Sequence, residues 1–173
     1  MKVFINPGHA PNGDPDPGAC GCGLRESDVA ASVGELVKGY LEAAGCEVYL
    51  LQSDSLSEIS STANAWDADV FVSIHCNSAG TDRAQGTETF SYPYSINGAR
   101  LALCIHNQIV SSLPIVDRGT KEANFHVVRE TDMPACLVEM AFINNPGDAE
   151  MLRNRQDDFA RAIARGVTDY QCL

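Results

Sequence analysis

Four residues far apart in this chain have the types that a hydrolytic metal site requires. His9 and His75 follow short apolar runs, Val3-Phe4-Ile5 and Val70-Phe71-Val72-Ser73-Ile74, and Glu139 follows another, Ala135-Cys136-Leu137-Val138. Glu26 lies where a long Gly/Pro-rich loop meets an amphipathic segment. Zinc in hydrolases is typically held by three protein ligands with a fourth position left for water, and two His with one Glu is a known set. His9, Glu26 and His75 can supply it, and a carboxylate at Glu26 also tolerates the positive start of a helix. Bound zinc brings the pKa of its water to about 7. Glu139 is then the candidate base that takes the water's proton and the acid that passes it to a leaving group. A Glu between Val138 and Met140 is costly unless it is paired or functional. A lone His after a strand is more often a hydrogen-bonded loop residue than a ligand. The separations of 17 and 49 residues between the three candidate ligands are also no local zinc signature. The case rests on the combination, and therefore on the elements that bring it together.

Runs this short, rich in Val, Ile and Phe, read as buried strands of a largely parallel sheet. Ligands of open α/β sheets collect beyond the carboxyl ends of such strands, which is where His9, His75 and Glu139 fall. Between Pro7 and Arg25 the chain carries four prolines and five glycines, so an irregular loop of functional length is expected. Val29, Val33, Leu36, Val37, Tyr40, Leu41 and Ala44 recur at helical spacing, and Gly45 supplies a left-handed stop. Residues 47–52 and 87–92 read as strands, 56–66 as a short helix and 96–110 as a longer one. Residues 114–123 read as a second loop, 125–129 and 135–140 as the last strands, and 149–170 as one or two helices breaking near Asn154. Alternating strands and helices give a single α/β domain over residues 1–173.

Composition narrows the partners. Lys and Arg number 12 against 23 Asp and Glu, for a net charge of -11. Nucleic acid is a poor partner for such a chain, since binding it draws on basic residues to neutralise phosphates. No apolar stretch approaches the length of about 20 residues that a membrane span requires. Among the seven cysteines, Cys46, Cys76, Cys104 and Cys136 lie in or beside apolar segments, where a thiol behaves as a small hydrophobe. Cys20 and Cys22 sit in the Gly/Pro-rich loop, one residue apart. Recognised zinc spacings leave two to four residues between thiolates, and disulfide, ligand pair and plain loop cysteines all stay open. His106, beside inward-facing Ile105, is expected at the surface. His126, near a strand start, could reach the cleft. Trp66 and Tyr92-Pro93-Tyr94 read most simply as packing or cleft wall.

In order and spacing, a set of segments resembles the zinc-dependent N-acetylmuramoyl-L-alanine amidases of the amidase-3 family. They are Asn6-Pro7-Gly8-His9, Asp16-Pro17-Gly18-Ala19, Gly23-Leu24-Arg25-Glu26, Ser73-Ile74-His75-Cys76-Asn77 and Gly86-Thr87-Glu88-Thr89. Arg118-Gly119-Thr120-Lys121, Asn124-Phe125, Pro134-Ala135 to Glu139 and Phe142-Ile143-Asn144-Asn145-Pro146 continue the match over nearly the whole chain. The resemblance implies one zinc ion on His9, Glu26 and His75, with Glu139 as acid/base. It implies about six strands in a mostly parallel twisted sheet, flanked by helices on both faces. It also implies a peptidoglycan substrate, cut at the amide between the lactyl group of N-acetylmuramic acid and L-alanine of the stem peptide. Two positions depart from the family. Asn6 stands where Asp is usual, a place expected to orient a ligand, and Ile59 occupies about the place of an Arg. Competing readings are a zinc peptidase acting on cell-wall peptides and a wall-binding domain without activity. The protein is expected to be a monomer, with or without a separate wall-binding module. It is expected to act at the bacterial cell wall, as a phage-type lysin made in the cytoplasm or as the catalytic part of an exported protein, because no signal segment precedes the first strand.

Overall fold

A computed structural model describes residues 1–173. Six strands form one sheet: β1 (Lys2–Pro7), β4 (Glu47–Leu50), β5 (Val70–Asn77), β6 (Thr87–Ser91), β7 (Asp117–Glu122) and β8 (Ala135–Phe142). Their order across the sheet is β4-β1-β5-β8-β6-β7. The first four are mutually parallel, whereas β6 runs antiparallel to β8 and pairs in parallel with β7. A small antiparallel hairpin, β2 (Cys20–Gly21) and β3 (Leu24–Arg25), stands inside the long first loop.

Helices cover both faces. Helix α1 (Glu26–Ala43), α3 (Ile96–Ser112) and α6 (Gln156–Gln171) share one face, where Val3, Ile5, Val72, Ile74 and Val138 meet Val33, Leu101, Ile105, Phe159 and Ile163. The other face carries α2 (Leu56–Ala65) and the single-turn α4 (His126–Arg129), where Phe4, Phe71 and Leu137 meet Ile59, Ala63, Val127 and Val128. Two-sided burial explains why the β1, β5 and β8 segments are continuously apolar rather than alternating. Trp66 packs against Phe4 and Tyr49 in this second layer, away from the cleft. Helix α5 (Pro146–Asn154) is capped by the Asn145 side chain on the Asp148 N–H and breaks from α6 at Arg155. No helix is long and apolar enough to cross a membrane.

Three expectations need correction. The segment 114–123 is not all loop, because β7 occupies its second half as a polar edge strand. With five of its six residues exposed, that strand leaves no apolar alternation to read. Residues 125–129 form a helical turn rather than a strand. Val127 and Val128 are both buried against the same layer, and two adjacent apolar residues do not distinguish the two states. His106 is buried, not at the surface, with 3% of its area exposed. Its ring pairs with the Thr89 hydroxyl at 3.2 Å through Nδ1 and with Asp117 at 2.8 Å through Nε2, tying α3 to β6 and β7.

Candidate metal and catalytic site

β1 and β5 lie side by side with Pro7 opposite Ile74, so their ends bring His9 and His75 to the same sheet edge. His9 takes a left-handed backbone at φ 66°, a conformation uncommon outside glycine. Its ring meets the His75 ring nearly edge-on, with centroids 5.1 Å apart. Glu26, the first residue of α1, reaches between them. Its Oε1 lies 3.0 Å from His9 Nε2 and 3.0 Å from His75 Nδ1. The Cys76 N–H donates to the same oxygen at 3.0 Å, and the Ala19 N–H donates to Oε2 at 2.8 Å. One donor atom from each of His9, Glu26 and His75 lies within 4.8 Å of the others. Bonds of about 2.0–2.1 Å in tetrahedral geometry separate donors by about 3.4 Å, so this set fits a zinc ion.

The surroundings hold the three side chains in place. His9 Nδ1 meets Asp16 Oδ2 at 2.8 Å, and Asp16 Oδ1 accepts the Gly18 N–H at 3.0 Å. A carboxylate on the far nitrogen fixes the tautomer and ring plane of a metal-binding His and raises its basicity. Gly8 passes so close to His75 that a Cβ there would sit 2.3 Å from the ring. Gly18, at φ +66°, leaves room for His9 and Glu26, whose atoms would lie 2.5 and 2.7 Å from a Cβ. Burial opposes the charges here, but the pairing outweighs it. The His9 imidazolium is raised to about 9 by its bonds to Glu26 and Asp16, and Glu26 is held well below the usual carboxylate range by His75 and His9.

Glu139 lies directly opposite His75 across β5 and β8, and opposite Glu88 across β8 and β6. Its Oε2 is inaccessible and has no hydrogen-bond partner. Burial first, and then the charges of Glu26 and Glu88, push its pKa up to about 8. A carboxyl group in that state can hold a proton near neutral pH, as a general acid/base must. The four residues line one cleft of about 490 Å³, with Leu56, Ile59, Phe125, Val127 and Leu137 on its apolar side. His126 also lines it, with Nε2 3.4 Å from the Ser60 hydroxyl.

Asn6 makes no hydrogen bond to a candidate ligand. Its Oδ1 accepts the Ser73 hydroxyl at 2.8 Å, and its Nδ2 donates to the Leu51 carbonyl at 3.0 Å and to the Pro7 carbonyl at 3.1 Å. It locks the end of β1 to its neighbours instead. Ile59, where an Arg is common in the family, is fully within the second apolar layer. Cys20 and Cys22 are exposed thiols on the β2–β3 hairpin. Asp16, Gly8 and Gly18 carry roles that residue type and spacing did not single out. The Asp16-Pro17-Gly18 turn within a Pro/Gly-rich loop was the available signal.

Known proteins resemble this chain along nearly its whole length. The amidase-3 family model, N-acetylmuramoyl-L-alanine amidase, matches residues 3–169. The sporulation-specific N-acetylmuramoyl-L-alanine amidase of Bacillus subtilis (strain 168) is 38% identical over 175 residues, covering 96% of this chain and 65% of that protein. The endolysin of Bacillus phage SPP1 is 33% identical, covering 95% of this chain and 62% of the endolysin. The chain therefore spans a little under two-thirds of the length of these two relatives. Among solved structures, the N-acetylmuramoyl-L-alanine amidase AmiC2 of Nostoc punctiforme superposes with a TM-score of 0.92 at 35% identity, covering 100% of this chain and 98% of that one.

Proposed function

Because this chain belongs to the amidase-3 family of N-acetylmuramoyl-L-alanine amidases, we propose that it is a catalytic domain that hydrolyses peptidoglycan at the amide between the lactyl group of N-acetylmuramic acid and L-alanine. The observation that carries this reading is the Glu26 carboxylate, 3.0 Å from both imidazoles, with Glu139 in register beside His75. His9 through Nε2, Glu26 through Oε1 and His75 through Nδ1 would hold one zinc ion. Zinc held there supplies Lewis acidity towards the amide carbonyl and towards water.

The remaining work falls to the protein's own groups. Asp16 keeps the proton of His9 on Nδ1 and so leaves Nε2 free as a donor. The Glu139 carboxylate takes a proton from the attacking water, and the unpartnered Oε2 is where that proton can rest. The same group then donates it to the departing alanine amine as the C–N bond breaks, so the hydroxyl of water ends on the lactyl carbonyl carbon and its proton on the amine nitrogen. The apolar side of the cleft, where Val127 and Leu137 are buried, limits contact of this transfer with bulk water. With relatives named as a sporulation-specific amidase and an endolysin, the place of action is the bacterial cell wall. On this reading the chain acts as a monomer, with or without a separate wall-binding module.

Digestion of purified peptidoglycan tests the reading. New L-alanine amino termini with no new reducing sugar ends are expected. Amino termini from other stem residues would indicate a peptidase, and no release at all from zinc-loaded protein would indicate a binding domain.

A further inference from the structure

Beyond Glu139 the sheet face continues outward across β6 to the edge strand β7. Glu88 sits opposite Glu139, and Phe90 opposite Leu137, so all four share one face. Phe90 packs edge-on against Phe125 of the cleft wall, with centroids 5.3 Å apart. Lys121, paired with Phe90 across β6 and β7, carries its ammonium over that ring. Arg118 lies over the Phe142 ring at 4.9 Å. One sheet face therefore leads from Glu139 across β6 to two cations, which lie outside the cleft lining but join it through Phe90 on Phe125 and Glu88 on Asn77.

Those cations are held rather than free-swinging. Glu88, buried at 7% side-chain exposure, accepts from Arg118 Nε at 2.9 Å and from Lys121 Nζ. Its other oxygen accepts from Asn77, which itself lines the cleft. The trio keeps a single net positive charge, and the cationic side chains remain 35% and 41% exposed. In a chain of net charge -11, that is an unusual feature for the margin of a cleft. A guanidinium over one aromatic ring, an ammonium over another and a buried carboxylate behind both fix two cations in place, as preorganised recognition of an anion requires.

We infer that Arg118 and Lys121, fixed by Glu88, form a subsite for a carboxylate of the stem peptide; the inference rests on the amidase reading above. Neighbouring strands are about 4.8 Å apart, so cations drawn over β6 stand about 5–10 Å from Glu139. In a stem peptide the second residue is a γ-linked D-glutamate, whose α-carboxylate lies one residue, roughly 6–7 Å, beyond the scissile nitrogen. A carboxylate of the third residue, a diamino acid in many walls, would lie farther out along the same line.

The test compares the N-acetylmuramoyl tripeptide carrying a γ-linked D-glutamate with the same tripeptide amidated at that residue's α-carboxyl, using zinc-loaded wild-type protein. A kcat/KM at least tenfold higher for the acid is expected, as charged hydrogen bonds are the strong ones. Tripeptides with the third-residue carboxylate free or amidated form a second arm. A preference there alone assigns the subsite to that residue and keeps the carboxylate. In Lys121→Met the acid-to-amide ratio should fall towards one, while Arg118→Lys should retain part of it. Melting curves of both variants would show that the fold is intact, and the wild-type comparison needs no variant at all. Equal kcat/KM for acid and amide in both arms, or an unchanged ratio in Lys121→Met, would overturn the inference while leaving the amidase reading in place. Failure to cleave any of these compounds before L-alanine would overturn the amidase reading itself.

Discussion

Glu139→Gln should make the metal-free protein more stable while abolishing its activity. In the metal-free fold burial raises the pKa of the Glu139 carboxyl to about 8, against 4.5 for an unperturbed glutamate. A carboxyl whose folded pKa is raised contributes stability fully below pH 4.5. It loses that contribution as pH rises through 8, because the unfolded chain ionises first. At 1.36 kcal/mol per pKa unit, the gap is about 5 kcal/mol above pH 8 and about 3 kcal/mol at pH 7. Gln has nearly the same shape and no charge to bury, so the variant escapes this penalty. For a chain of this length, each kcal/mol moves Tm by about 2–4 °C, giving a gain of roughly 6–12 °C at pH 7. The assay is thermal melting of wild type and Glu139→Gln in chelator from pH 4 to 9. The two curves should coincide near pH 4 and separate steadily to pH 8. Hydrolysis by the zinc-loaded variant should fall by about 10²–10⁴. A Tm difference that is zero, or that does not vary with pH, would refute the claim that this carboxyl is buried against its ionisation.

Asp16→Ala should weaken zinc binding by about 10–100-fold, read by competition with a chromogenic chelator, because His9 loses the partner on its Nδ1. Unaltered affinity would mean that Asp16 orients nothing. Gly8→Ala should displace the His75 ring, which a Cβ would meet at 2.3 Å. Zinc content should drop while the far-ultraviolet spectrum stays folded, and full zinc occupancy with wild-type activity would contradict the close packing. His106→Ala should cost about 2 kcal/mol, or roughly 4–8 °C in Tm, because the buried Thr89 hydroxyl loses its partner. An unchanged Tm would show that the His106 pairing carries no weight.

The parts legible in the sequence were those buried on both faces. β1, β5 and β8 are near-continuous apolar runs, so the pattern alone puts their ends, and with them His9, His75 and Glu139, on one sheet edge. Glu26 was legible from the change from Gly/Pro-rich loop to helical periodicity. Edge and half-covered elements were not. β7 is polar along its length because it faces solvent, and α4 is too short to show a helical period. His106 was misplaced because its burial depends on Thr89 and Asp117, partners distant in the chain that no local pattern pairs with it. Asn6 follows the same logic. Its neighbour in space is Ser73, 67 residues on, and not the ligand beside it in sequence.

The central claim is that three side chains hold one metal and a fourth residue does the chemistry. The most direct measurement adds zinc stepwise to chelator-stripped protein, recording bound zinc and release of L-alanine amino termini from peptidoglycan in the same samples. Activity should rise linearly and level off at one zinc per chain. Glu139→Gln should bind the same single equivalent without activity, and His75→Ala should show neither. Activity that survives complete removal of metal, or Glu139→Gln turning over at the wild-type rate with zinc bound, would contradict the account.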